Sequence, residues 1–276
     1  MNGITLIAIG SHVYGGAAYN LTLSCKKYCP DIPIQLIYEK SAVSHLSKDM
    51  LCRFDYLTEI KHEHAYEGSV LMPCKAKIYI NEYLIFDKTL FLDADSICLK
   101  DFKDLFNDEF EFKAKINSTQ SVYIDKHKDF HWMHPKDLRE HYHLKEEPLY
   151  GISTAFMLIK KGVKGLFEAA QDAYLNRPRI TKLREQWGRS FPDELFFAVA
   201  LAKSEINPQT KPVVYTLPTY EPIIFDNFYF LSLLGTNIRR GIGDIYTRES
   251  NKACVHFGSK NYFPIDKLIK HKWLNQ

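Results

Sequence analysis

At its centre the chain reads Thr89-Leu90-Phe91-Leu92-Asp93-Ala94-Asp95. The apolar run Thr89–Leu92 has the length and residue types of a fully buried strand of a parallel sheet. In an extended chain, side chains two positions apart lie on the same face, so Asp93 and Asp95 are expected side by side. Two such carboxylates repel each other, and their oxygens suit Mg²⁺ or Mn²⁺, so the pair predicts a metal and ligand site at the strand end. The alternative interpretation is an ordinary acidic loop, since so short a motif also arises by chance.

The composition is that of a globular protein with one large domain or two small ones. The chain has 276 residues, 46% of them apolar, and a formal net charge of +3, which fits an anionic ligand without indicating nucleic acid. The N-terminal apolar run Ile4–Ile9 is too short for a signal peptide, and no run approaches the length of a membrane span. We therefore expect a cytoplasmic protein without a transmembrane segment. The six cysteines form no Cys-x-x-Cys pair and are expected to be reduced core residues.

Predicted strands and helices alternate over the first 95 residues. Strands are expected at Ile4–Ile9, Ile32–Tyr38, Leu57–Lys61 and Thr89–Leu92, with helices at 17–28 and Cys74–Phe86. This order predicts a parallel sheet with right-handed crossovers. The loop after the first strand lacks the Gly-x-Gly-x-x-Gly pattern of dinucleotide-binding proteins. Its small residues let a flat base approach the backbone, and Tyr14 either stacks on that base or packs on its own helix.

The second half of the chain contains two further candidate segments. Asp193 and Glu194 follow Ser190 and Pro192 at a predicted helix start, where helix capping and the helix dipole alone would explain two acidic residues. The predicted strand Ala253–Phe257 contains His256, and imidazole can ligate Mn²⁺. The histidine-rich stretch 127–143 matches no zinc spacing and is interpreted as a polar acceptor-side loop. The basic helix predicted at Pro264–Leu274 is interpreted as solvated, with contact to a membrane surface as the less favoured alternative.

Together these segments resemble glycosyltransferase family eight, the glycogenin-like retaining glycosyltransferases with a GT-A fold. The resemblance is strongest over Leu71–Phe106, where Lys77 stands sixteen residues before Asp93, as in the family. Val13–Ala18 is similar to the family's uridine-binding turn and helix. His256–Lys260 is similar to its C-terminal His, Gly, Lys motif, with one residue in each gap where the family has two. The resemblance, which runs over most of the chain, implies an α/β, Rossmann-like GT-A fold with a mixed, mainly parallel sheet flanked by helices.

The same resemblance implies a domain organisation and a set of site residues. Residues 1–276 would form a single GT-A domain, with a nucleotide-binding half at 1–106 and, at 107–276, an acceptor-binding half that carries the C-terminal metal and phosphate motif. Asp93, Asp95 and His256 would hold Mn²⁺ or Mg²⁺. Asp193 and Glu194 would be catalytic, with Glu194 standing where the family has Gln. The residues implied to bind the nucleotide sugar are Ala8, Gly10, Ser11, Tyr14, Lys77, Asp93, Ala94, Asp95, Ser153, Gly258 and Lys260.

The activity that the resemblance implies is metal-dependent transfer of a sugar from a nucleotide sugar, with a UDP-sugar as the expected donor and retention at the anomeric carbon. The acceptor stays open among a glycan, a lipid-linked sugar, a protein and a modified nucleic-acid base. Two other classes also stay open. One is a non-catalytic GT-A domain that binds a nucleotide. The other is a nucleotidyltransferase, which would need a basic Gly-rich phosphate loop, whereas Gly10–Gly16 has neither Lys nor Arg.

Overall fold

The structure, a computed structural model, describes residues 1–98, 101–107, 109–116, 124–126, 128–131, 133–145, 149–178, 191–204, 206 and 208, and the backbone of four short strands beyond them. Up to residue 98 its elements are β1 (Asn2–Ala8), α1 (His12–Tyr28), β2 (Ile34–Tyr38), α2 (Lys40–Val43), α3 (Lys48–Leu51), β3 (Tyr56–Glu59), α4 (His62–Ala65), β4 (Tyr66–Glu67), β5 (Val70–Leu71), α5 (Pro73–Ile78), β6 (Lys88–Asp93) and β7 (Ser96–Cys98). Then follow β8 (Phe112–Ile116), α6 (Pro135–Tyr142), β9 (Ile152–Lys160), α7 (Lys164–Leu175), α8 (Asp193–Ser204), β10 (Val214–Thr216), β11 (Ile224–Phe225), β12 (Phe228–Tyr229) and β13 (Cys254–His256). Short 3-10 helices cover Ile80–Glu82 and Lys103–Phe106.

A six-stranded, mostly parallel sheet has the spatial order β3-β2-β1-β6-β9-β8 and is flanked by helices. Strand β8 pairs antiparallel with β9, with Phe112 opposite Ile159. The central strands read as near-continuous apolar runs, and Leu90, Phe91 and Leu92 of β6 are fully buried. Such runs are expected where helices cover both faces of a sheet. The predicted mixed, mainly parallel α/β architecture is therefore confirmed.

The chain divides into two compact units whose segments alternate along the sequence. Unit 1 comprises Met1–Thr5, Thr58–Phe91 and Glu109–Lys211. Unit 2 comprises Leu6–Leu57, Leu92–Asp108 and Pro212–Gln276.

Helix α8 is the core helix of unit 1. Every residue from Leu195 to Leu201 is completely buried, and the helix contacts α5, α7 and β9. The Phe197 ring stacks parallel to Phe112 at 6.2 Å and meets the Phe167 ring edge-on at 5.5 Å. Because so many aromatic contacts converge on it, α8 and its N-terminal residues are held in a fixed position.

Helix α1 is the long helix of unit 2, and it packs on α2 and β7. Ser24 Oγ ties it to β7 by accepting a 3.0 Å hydrogen bond from the Cys98 backbone N–H. A Cβ added at Gly15 would lie 2.0 Å from the Ala42 carbonyl oxygen, so only glycine permits this approach of α1 to α2. The prediction that a loop extends through Gly15 and Gly16 and that the helix begins at residue 17 is therefore wrong, since α1 begins at His12.

The other predicted elements agree with the structure except at three places. The helix predicted over Cys74–Phe86 is shorter, because α5 ends at Ile78 and a 3-10 helix follows after Tyr79. The short hairpin of β4 and β5 and the three-residue strand β7 were not predicted. The helix predicted at Pro264–Leu274 lies outside the described residues.

The cysteines that the structure describes are free thiols: Cys25, Cys29, Cys52, Cys74 and Cys98. Burial raises the pKa of the Cys29 thiol to about 12, which keeps it protonated and unreactive at neutral pH. The expectation of reduced cysteines is thus confirmed for this part of the chain. Within the described residues no helix is long and apolar enough to cross a membrane.

Candidate functional site

The two central carboxylates of unit 2 lie at a turn. Asp93 is the last residue of β6, Ala94 and Asp95 form a tight turn, and Ser96 begins β7. The expectation that both acids extend from one straight strand is therefore wrong, because the backbone changes direction between them. Asp95 is 8% exposed and Asp93 is half-buried. A carboxylate so well buried must be satisfied by hydrogen bonds or by a cation.

Strand β13 lies against this turn. It pairs antiparallel with β7, and the backbone register sets His256 opposite Ser96, the residue that follows Asp95. A histidine far along the chain is thus brought to the acidic turn by strand pairing alone. Gly258 and Lys260 lie outside the described residues. Among the side chains that the structure describes, which do not include that of His256, no cluster of three or more His, Cys, Asp or Glu could hold a metal ion.

The end of β1 and the start of α1, also in unit 2, contain the residues that the sequence indicated for binding a nucleoside. Ala8 is buried, and Gly10 has a φ of 79°, which favours glycine. Ser11 caps α1, and its Oγ accepts a hydrogen bond from the Val13 N–H at 3.3 Å. Tyr14 is half-buried in the first turn of the helix. Gly10 is exposed and Ser11 is half-buried at this strand end.

Glu39 also belongs to this strand end, although the sequence did not point to it. Its Oε2 accepts a 2.9 Å hydrogen bond from the Gly10 N–H, and its own N–H donates to the Ala8 carbonyl at 3.0 Å. Because both contacts depend on β1 and β2 being neighbours, no local sequence pattern signals them.

Unit 1 holds a buried polar cluster of Lys77, Thr154 and Asp193. The Lys77 Nζ lies 3.5 Å from Asp193 Oδ2, and the Thr154 hydroxyl donates a short hydrogen bond to the same carboxylate. Lys77 also lies over the Phe91 ring, at 5.8 Å from its centroid. Three elements meet here, since Lys77 is on α5, Thr154 on β9 and Asp193 at the first position of α8.

Burial makes this cluster informative. The side chains of Lys77 and Asp193 are 16% and 8% exposed, and Thr154 is 1% exposed. Partly buried ion pairs are costly to assemble and gain little net stability over apolar replacements, so they are weak evidence for a structural role. A carboxylate that is held by an ammonium group and a hydroxyl is well suited to bind the hydroxyl groups of a polar ligand.

Ser153, which the resemblance implies as a binding residue, is the neighbour of Thr154 on β9. The Ser153 hydroxyl oxygen accepts a 3.3 Å hydrogen bond from the backbone N–H of Ala155 in the same strand. Successive residues of a strand point to opposite faces, so Ser153 and Thr154 cannot both face Asp193. Thr154 is a site residue that sequence reasoning missed, because only the packing of β9 on α8 brings it to Asp193.

Glu194 is half-buried in the first turn of α8 and faces a histidine. His131 Nε2 lies 3.0 Å from Glu194 Oε2, which is ion-pair distance. No sequence pattern signalled this pair, because the histidine belongs to a stretch with no regular spacing.

The other histidines that the structure describes in that stretch have structural contacts. His134 caps α6, and its Nδ1 accepts a hydrogen bond from the Lys136 N–H at 3.2 Å. His141 Nε2 lies 2.7 Å from the Asn176 carbonyl oxygen. His143 ends α6 in the left-handed conformation. His127 lies outside the described residues.

No protein-family model matches the sequence, and no curated protein matches it. Several solved structures are similar in fold. A crystal structure of the galactosyltransferase LgtC in complex with donor and acceptor sugar analogues matches 97% of this chain and 96% of its own, with a TM-score of 0.53 and 13% identity. An active-site Gln-to-Glu variant of LgtC matches 94% of this chain and 87% of its own, with a TM-score of 0.51 and 14% identity. The bifunctional glycosyltransferase WbbM matches 99% of this chain and 50% of its own, with a TM-score of 0.53 and 11% identity.

At these identities the likeness establishes the fold. The protein has the mixed α/β fold of GT-A glycosyltransferases, as the sequence predicted.

Proposed function

We propose that the protein is a retaining glycosyltransferase of family-eight type, which transfers a sugar from a UDP-sugar to an acceptor. The observation that carries the proposal is the register of β13 on β7, with His256 opposite Ser96 next to the acidic turn. A pair of acids alone is a weak motif, whereas two acids with a histidine on the strand paired beside them would supply three ligands for a metal ion. The fold likeness to LgtC, whose structure holds donor and acceptor sugar analogues, supports the same conclusion.

The residues that would hold Mn²⁺ or Mg²⁺ are Asp93, Asp95 and His256. Carboxylate oxygens with one imidazole suit these ions. A divalent ion bound there would act as a Lewis acid on the diphosphate of the donor. Lys77 and Lys260 would add charge-assisted hydrogen bonds to the diphosphate or the sugar, and the backbone at Ala94 and Gly258 would approach the phosphates.

The end of β1 would bind the nucleoside. Ala8, Gly10 and Ser11 offer backbone and small side chains to a flat base, and the Tyr14 ring would stack on it. The capped start of α1 keeps Tyr14 at a fixed position, since Ser11 closes the first turn.

Asp193 and Glu194 would act at the sugar, where Thr154 lies beside Asp193 in place of the Ser153 that the resemblance implies. Asp193 would accept hydrogen bonds from sugar hydroxyls, because Thr154 and Lys77 hold its carboxylate in one orientation. Glu194 would lie at the anomeric carbon, either as the nucleophile or as the group that stabilises positive charge on the sugar.

A donor panel tests this proposal without knowledge of the acceptor. The protein is incubated with different nucleotide sugars and Mn²⁺, and slow hydrolysis of the donor is followed by mass spectrometry. We expect release of UDP from a UDP-sugar, and no release by Asp95→Asn. Binding without hydrolysis of any donor would favour a non-catalytic nucleotide-binding domain. Release of pyrophosphate from a nucleoside triphosphate would favour a nucleotidyltransferase.

A further inference from the structure

His131 has a left-handed backbone conformation, which few non-glycine residues adopt and in which histidine, asparagine and aspartate are enriched. Its φ is 49°, in the left-handed region, where glycine and asparagine are favoured. Phe130 and Met133 exchange backbone hydrogen bonds of 2.9 and 3.1 Å, which closes a two-residue loop with His131 at its first position. The backbone from which the His131 ring extends is therefore fixed by the loop.

The ring of His131 contacts an aromatic ring and a carboxylate. The Phe130 ring contacts it edge-on, with centroids 4.3 Å apart, and Nε2 lies 3.0 Å from Glu194 Oε2. The side chain of His131 is 16% exposed and that of Glu194 is 24% exposed, so solvent screens the contact only in part. Glu194 is in turn fixed by α8, whose core residues are completely buried. The loop therefore places an imidazole beside a carboxylate whose backbone is held by a buried helix.

We propose that His131 is a positioning residue for Glu194: its imidazole holds the carboxylate in the orientation needed at the sugar. The inference rests on the proposed function, because it assigns His131 a part in the same reaction. His131 itself touches Glu194 and acts through it. An acidic side chain that must face an anomeric carbon gains from a partner that restricts its rotamers, since small misplacements of catalytic groups are costly.

Two substitutions separate the ring from the backbone. His131→Asn retains a residue type that tolerates the left-handed conformation, but its short amide cannot reach the place of Nε2. His131→Gln sets an amide nitrogen near the place of Nε2 and so retains a donor. We expect His131→Asn to lower kcat for donor hydrolysis about 10- to 100-fold, the scale for a misplaced catalytic group, with unchanged KM and thermal midpoint. We expect His131→Gln to recover most of the loss.

The decisive measurement is the same substitution in the Glu194→Gln background. If His131 acts through Glu194, His131→Asn causes no further loss of kcat there, because residues that act as a unit are not additive. An equal loss in both backgrounds would overturn the proposal, as would wild-type kcat in His131→Asn. A lower thermal midpoint without recovery by His131→Gln would assign the histidine a structural role instead. A wild-type protein without turnover on any donor would overturn the proposed function and this inference together, whereas an active wild type with an unaffected His131→Asn would overturn this inference alone.

Discussion

Lys77 Nζ lies 3.5 Å from Asp193 Oδ2, and neither side chain is more than 16% exposed. The two residues come from different helices, and the Thr154 hydroxyl from a strand joins them. An ion pair formed by three separate elements in a protein interior fixes their mutual positions. Removal of either charge is expected to destabilise the protein, because the other charge is then buried without compensation.

Replacement of Lys77 is therefore expected to be costly. Lys77→Met should lower the free energy of unfolding by about 3–5 kcal/mol, the usual cost of removing one partner of a buried ion pair. Lys203→Met provides the control, since Lys203 pairs with Asp172 at 3.1 Å on the protein surface. That change should cost about 1 kcal/mol or less. Urea denaturation of both variants measures the difference, and equal losses would contradict a special role for the buried pair.

A buried histidine in unit 1 makes stability depend on pH. His64 is 8% exposed, stacks on Tyr79 and lies with Nδ1 at 2.6 Å from the Tyr83 hydroxyl. Burial lowers the pKa of His64 below its ordinary value of 6.5, against a smaller opposing effect of Glu82. The unfolded chain therefore takes up a proton at a higher pH than the folded one. The free energy of unfolding should fall as the pH drops from 6.5 toward the lower folded pKa, by at most about 1.4 kcal/mol per pH unit.

His64→Gln should remove this part of the pH dependence. The measurement is the urea midpoint at a series of pH values between neutral and mildly acidic. His62→Gln, a change of an exposed histidine on the same helix, controls for the introduction of glutamine. An unchanged slope in His64→Gln would show that His64 is not responsible.

The layout of the sheet could be predicted from the sequence, because it depends on local patterns. The apolar run of β6 is recognisable from its own residues, and so is each of the strands and helices that alternate before it. The start of α1 could not be predicted, since Gly15 in a local reading signals a turn. Its place in the helix follows from the close approach of the Ala42 carbonyl, which is a tertiary contact.

The acidic residues of the candidate site could be predicted from the sequence, whereas the residues that contact them could not. Asp193 and Glu194 stand out at a helix start, but Thr154 is 39 positions from Asp193 and meets it only because β9 packs on α8. His131 meets Glu194 through a loop with no periodic signal. Pairs of this kind depend on packing, for which a single sequence carries no local signature.

The acidic turn gives the prediction for metal binding. Asp95→Asn should abolish metal-dependent binding of the donor and leave the fold intact, because it removes a charge and keeps the shape of the side chain. Calorimetric titration of UDP with and without Mn²⁺ measures binding, and circular dichroism checks the fold. Asp49→Asn, a change at an exposed acid of α3, is the matched control. Full donor hydrolysis in excess EDTA would contradict the assignment of Asp93, Asp95 and His256 as metal ligands.

Glu194→Gln is the most informative substitution for the chemistry. If Glu194 is the nucleophile, a carboxylate oxygen bonds to the anomeric carbon as the bond to UDP breaks and UDP leaves with the electron pair. The acceptor oxygen then attacks the anomeric carbon, Glu194 leaves with the electron pair as a free carboxylate, and the acceptor proton passes to a phosphate oxygen of the departed UDP. The amide of Gln cannot do this, so kcat should fall by several orders of magnitude while the affinity for the donor is largely kept.

Two other outcomes are distinct from this one. If Glu194 only stabilises positive charge on the sugar, the loss in kcat should be on the order of 10²–10³, as for one electrostatic group. If it serves only the N-terminus of α8, kcat should be unchanged and the free energy of unfolding should fall by about 1 kcal/mol or less. Stereochemistry cannot separate the first two, because both give retention. Single-turnover kinetics of the variant, with mass spectrometry for a sugar-bearing peptide that contains Glu194, can. A trapped sugar on that peptide would establish the covalent route, and wild-type turnover in Glu194→Gln would remove this residue from the chemistry and leave Asp193 as the acid to test next.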